Sequence, residues 1–113
     1  MAYRNLKLLD AAEQAADEVN QLIDRARKRP LLHAAQLRKA AQSVSANIRE
    51  GLGRDQGPDR DRSFKISRAE ANEVIGHLRP NFKENRIERS EYWPLHNKYV
   101  VIVKMVDSIC GER

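Results

Sequence analysis

A chain of 113 residues with 33% charged and 5% aromatic side chains has room for one domain and one modest core. Five glycines and four prolines are few, which favours helices over sheets. The formal net charge of +5 raises the expectation of a polyanionic or acidic partner, against the simpler reading of charge kept for solubility. No run reaches the ~20 apolar residues of a membrane span, and MAYRNLKLLDAAEQ lacks the apolar block of a secretion signal. A single cysteine, Cys110, excludes an internal disulfide, so a cytoplasmic setting is expected.

The first helix is predicted over about residues 5–28. Leu9, Ala12, Ala16, Val19, Ile23 and Ala26 recur three and four apart, the spacing of a packed seam. It ends on Arg25, Arg27, Lys28 and Arg29 before Pro30. Cations suit a helix C-terminus, and proline cannot continue the ladder. Four cations in five residues are more than a stop needs, so a phosphate-binding patch stands beside that account.

The second helix is predicted over about 31–51. Leu37, Ala41, Val44 and Ile48 form its apolar face, with Ala40 beside it. Ser43, Asn47 and Glu50 form a polar strip that Arg54 would extend, while Arg38 and Arg49 point away from the core. Gly51 and Gly53 are expected to end the helix with left-handed backbone. His33 stands alone near the start, as a surface residue. The connection GRDQGPDRDRS reads as solvated and mobile, with Asp59 as the cap of the next helix.

The third helix is predicted over about 59–86, with a kink or break at Pro80. Phe64, Ala71, Val74, Ile75, Leu78 and Phe82 make its apolar face. Lys65, Arg68, Arg79, Lys83 and Arg86 follow one edge, either as a second phosphate contact or as basic stems lying over apolar flanks. Arg68, nearest the core, is expected to pair with Glu50. Ser43, Asn47, Glu50 and Arg68 would then form one structural polar network.

The fourth helix is predicted over about 91–110, capped by Ser90 with Pro94 in its first turn. Tyr92, Leu95, Tyr99, Ile102, Val106 and Ile109 keep seam spacing on both sides of the β-branched run at 100–103, which argues against a strand there. Val100, Val101 and Ile66 then point outward, as a subunit contact or as scattered surface hydrophobes.

No catalytic set is legible. Glu73 and His77 are four apart, not the three of the Glu-x-x-His pairs of a di-iron bundle, fall on the outer side of the third helix, and have no second such pair. One cysteine and three histidines give no zinc spacing, and no phosphate-cradling glycine loop occurs. The expectation is a protein that is not an enzyme, with no cofactor, no metal and no small-molecule substrate.

The stretch KAAQSVSANIREGLGR resembles the core motif of the small four-helix-bundle proteins encoded in 23S rRNA intervening sequences, to which the accessory variability determinant proteins of diversity-generating retroelements are related. Ala40, Ser43, Val44, Asn47, Ile48, Glu50, Gly51, Gly53 and Arg54 match that pattern, with Lys39 in place of an arginine. Phe64, Arg68, Glu73 and Leu78 match a later segment, which departs at Ala69 and Glu70, where Gly-Ser is usual. The resemblance implies an all-α, antiparallel up-and-down four-helix bundle, a homo-oligomeric ring (a homopentamer with a basic surface) and, in one branch, assistance to a reverse transcriptase.

The expected function is a nucleic-acid-binding accessory protein that meets RNA or DNA phosphates through Arg25, Arg27, Lys28, Arg29, Arg38, Arg49 and Arg54. Few aromatics are available for stacking, which argues against single-strand readout. The alternative is a scaffold module whose basic surface meets an acidic protein.

Overall fold

The computed structural model describes residues 3–26 and 28–111. Among these are four helices and no strand: α1 (Tyr3–Arg25), α2 (Ala34–Leu52), α3 (Pro58–Lys83) and α4 (Arg89–Gly111). None is long and apolar enough to cross a membrane. Each packs on two others, α1 on α2 and α4, and α3 on α2 and α4. The molecule measures 46 × 20 × 19 Å.

The six residues predicted for the α4 seam are all buried. On α1 the buried apolar positions are Leu8, Ala12, Ala15, Ala16, Val19 and Leu22, while Leu9 and Ile23 are only partly covered. A helix wedged between two neighbours buries a wider stripe than a two-helix seam, and the centre of that stripe lies one residue from the predicted line.

The first connection is where sequence and structure differ most. α1 stops at Arg25, and α2 begins at Ala34 instead of near Leu31. Leu31 is buried, and His33 takes the left-handed conformation at φ 56°. The Leu32 backbone between them is held by Asn81 of α3. Asn81 Oδ1 accepts from the Leu32 N–H at 2.7 Å, and Asn81 Nδ2 donates to the Leu32 carbonyl at 3.1 Å and to the His77 carbonyl at 2.9 Å. Asn81 is fully buried, so each bond replaces water that cannot reach it.

α3 runs unbroken through Pro80 and ends at Lys83, which leaves Arg86 outside it. Proline removes one rung of the ladder, but its neighbours are fixed: Asn81 by the bonds above, Phe82 by stacking on Tyr92 with centroids 4.1 Å apart. The cap of α3 is Gly57, with Pro58 first in the helix; Asp59 and Asp61 lie in the first turn, where they suit the helix dipole. α4 starts at Arg89, so Ser90 is inside it and is not its cap.

Gly51 lies within α2, and Gly53 is right-handed at φ −80° and ψ −5°, so neither supplies the expected left-handed stop. The α2 carbonyls are met by Arg60 of α3, whose Nε donates to the Gly51 carbonyl at 3.1 Å and whose Nη2 donates to that of Leu52 at 3.4 Å. Part of the charged connection expected to be mobile is therefore α3 and its capping arginine.

Candidate nucleic-acid interface

The cations singled out in the sequence mostly meet the chain's own acceptors. Arg38 donates to Asn20 at 2.8 Å and to Asp24 at 3.1 Å. Arg49 reaches Glu13 at 3.2 Å, Arg54 reaches Glu50 at 2.9 Å, and Arg25 pairs with Glu91. Arg29 makes a long bond to the Asn85 carbonyl, at 3.5 Å. Lys28 is exposed, and Arg27 lies outside the described residues. Exposed ion pairs are weak and exchange with solvent, yet these guanidinium groups are not the unopposed patch that the sequence suggested.

Helical spacing explains why. Asp10, Glu13, Asp17, Asn20 and Asp24 follow one flank of α1 in steps of three and four, facing Arg38 and Arg49 of α2. That side carries four carboxylates against two guanidinium groups.

The α3–α4 side is the reverse. Lys65, Arg68, Arg79 and Lys83 lie on one flank of α3. On α4 the series Arg89, Trp93, His96, Val100, Lys104 and Asp107 advances in steps of three and four. The two series meet where Arg68 pairs with Asp107 and where Phe82 touches Trp93, with centroids 5.8 Å apart. Lys65 and Arg68 also lie close enough to Cys110 to oppose the burial that pushes its thiol pKa up. Lys83 and Arg89 line a common shallow depression with Phe82, Asn85, Ile87 and Glu88. Six cations thus share one side with Asp107, which Arg68 already holds, and with Asp61 and Glu88 at its extremities. Among the described residues, no carboxylate forms an ion pair with Lys65, Arg79, Lys83, Arg89 or Lys104. The cyclic packing order places this side across the molecule from α1–α2.

A family model described as 23S rRNA-intervening sequence protein matches residues 4–108. The chain belongs to that family. A solved structure similar to it is a protein of unknown function from the S23 ribosomal protein family of Bacteroides thetaiotaomicron VPI-5482, with a TM-score of 0.89 and 23% identity over 96% of this chain and 98% of the other. At that identity the likeness shows a common fold. No curated protein matches.

The motif that resembles this family does structural work in α2. Asn47 Nδ2 bonds back to the Ser43 carbonyl at 2.9 Å, and Gly51 lies under the Phe64 ring. The expected Arg68–Glu50 pair does not form, because Arg68 faces α4 and Glu50 is taken by Arg54, one turn on. Ser43, Asn47, Glu50 and Arg68 therefore do not make one network. Arg68 lies on the α4 flank of α3, while the flank towards α2 carries Glu70 and His77, within reach of Lys39 and His33.

His33 is not alone either. Its Nδ1 lies 3.2 Å from that of His77, with the rings edge to face. Two imidazoles supply two ligands, and among the described residues no group of three or more His, Cys, Asp or Glu could hold a metal. Tyr99 is buried with its hydroxyl unpartnered, and burial pushes the phenol pKa up.

Proposed function

We propose that this protein is a non-enzymatic nucleic-acid-binding accessory protein whose α3–α4 side contacts phosphates. The observation that carries the reading is the division of charge: unpaired cations along α3 and α4, carboxylates along α1. A net charge of +5 spread evenly would serve solubility; gathered on one side, it makes a field that attracts a polyanion. RNA is the first polyanion to test, the family's description placing these proteins with a 23S rRNA intervening sequence. The test is gel-shift binding of a structured RNA and of duplex DNA at low and moderate salt. Binding that weakens steeply with salt is expected; retention of neither at low salt removes the reading. A scaffold role would instead return an acidic protein partner that survives nuclease treatment.

The same reading includes an antiparallel up-and-down bundle assembling into a ring of identical copies. Antiparallel neighbours are supported by the cross-helix pairs: as α1 advances from Glu18 to Arg25, its α4 partners retreat from Lys98 to Glu91. The ring is supported by two unlike apolar patches. Val101 is 50% exposed beside Pro94 and Ala11 on the α1–α4 side, and Ile66 is 43% exposed beside Ala69 on α3. Unlike patches on different sides suit head-to-tail contacts, which close into a ring when the rotation between copies is a whole fraction of a turn. A ring would repeat the basic side and raise avidity. A pentameric mass in solution is expected, and a monomer at micromolar concentration contradicts it.

A further inference from the structure

We infer that the basic side carries a stacking site for an unpaired base, centred on Trp93, and that the partner is therefore RNA with single-stranded segments. The inference rests on the nucleic-acid reading above and narrows it to a substrate class.

Trp93 is the chain's single tryptophan and is 46% exposed. An isolated surface aromatic is ordinary, but the surroundings of this one are not. Its indole touches three rings: Phe82 at 5.8 Å, Tyr92 at 4.9 Å and His96 at 5.2 Å. All three meet it at interplanar angles of 72–75°, so they brace the indole without any of them lying flat against it. A braced and half-open indole is a platform that loses little freedom when a base is laid on it. Tyr92, one of its supports, is itself fully buried and stacked on Phe82 at 4°, which anchors the platform to the core.

Phosphate contacts lie on either side of this platform. Arg89 is one helical turn before Trp93 on α4, and Lys83 shares a depression with Arg89 and Phe82. Arg79 is one turn below Lys83, and Lys104 continues the α4 line. From Lys65 to Lys83 the helix rises about 27 Å at about 1.5 Å per residue, a length that spans several nucleotides. A duplex buries its base faces and can use the cations alone. A strand with unpaired bases can use the cations and the indole together. The scarcity of aromatics argues against single-strand readout, and that expectation is revised to this extent: one platform does not read sequence, but it favours an unpaired strand over a duplex.

The test compares a fluorescein-labelled 12-mer of oligouridine with a duplex RNA of the same length, by anisotropy at fixed salt. Wild type should bind the single strand more tightly than the duplex, with the tryptophan fluorescence quenched. Trp93→Ala should lose about 5- to 150-fold for the single strand and under about threefold for the duplex. Trp93→Phe, which keeps an aromatic face, should recover part of the loss and also checks that the change is not misfolding. Wild type binding the duplex at least as tightly as the single strand, or both variants binding the single strand like wild type, overturns the stacking site and leaves the phosphate reading standing. Binding of neither RNA by wild type removes the phosphate reading as well.

Discussion

Gly51 packs so closely under Phe64 that a Cβ built on it would lie 2.7 Å from the ring's Cε1 and 2.8 Å from its Cδ1. Both residues are buried where α2 meets α3. The glycine is required there by the width of the gap, since its backbone is helical. Gly51→Ala should therefore destabilise the fold by up to about 2 kcal/mol, overpacking of about 1–3 kcal/mol being partly offset by alanine's better helix propensity, about 1 kcal/mol. Gly53, where a Cβ would make only ordinary contacts, serves as the control. Gly53→Ala should lie within about 0.5 kcal/mol of wild type. Urea denaturation of both variants checks the contrast, and equal effects contradict it.

Asn81 ties the connection after α1 to α3. Asn81→Ala removes three hydrogen bonds and leaves the Leu32 N–H and C=O without them. A loss of about 2–4 kcal/mol is expected, together with faster hydrogen exchange at the Leu32 amide. Wild-type exchange at that amide in the variant would show that the clamp is not what holds the connection.

The carboxyl of Glu70 is held above the usual glutamate range, first by partial burial and then by Glu73 one turn on, with Lys39 opposing. A raised pKa in the folded state means that the folded chain keeps this proton after the unfolded chain has lost it. The contribution to stability is present in full below the unfolded value and is lost as pH rises through the folded one. Glu70→Gln should therefore gain stability relative to wild type on going from pH 4 to pH 7. Most of the group is solvated, so the gain is small. Parallel stability curves over that range contradict the assignment.

These particulars show what a sequence can and cannot carry. The α4 seam was legible because six residues repeat at one spacing, and burial follows spacing. The α2 face was legible for the same reason. Asn81 was not: a polar residue on a buried face has no periodic signature, and its partner is 49 residues away. The ion pairs were equally hidden. Which carboxylate meets Arg68 depends on which flank of α3 each neighbour covers, and a rotation of one residue, about 100°, exchanges α4 for α2. The charge balance of the phosphate candidates was hidden in the same way: dense cations at 25–29 and on α2 stand out in the sequence, whereas the acidic flank of α1 that answers Arg38 and Arg49 emerges only when the helices are laid together. The basic stripe of α3 was visible; what was missing was the α4 half that completes it.

The most direct test of the central claim removes two cations from each side and measures RNA affinity against salt. Arg79→Ala with Lys83→Ala should weaken binding and flatten the salt dependence by about 1.4 in log–log slope for a single strand, at about 0.7 per phosphate contact. Arg38→Ala with Arg49→Ala should leave the slope unchanged and affinity equal to or only slightly below that of wild type, since the carboxylates they answer stay behind on the side away from the contact. The opposite pattern, with α1–α2 sensitive and α3–α4 silent, would contradict the account.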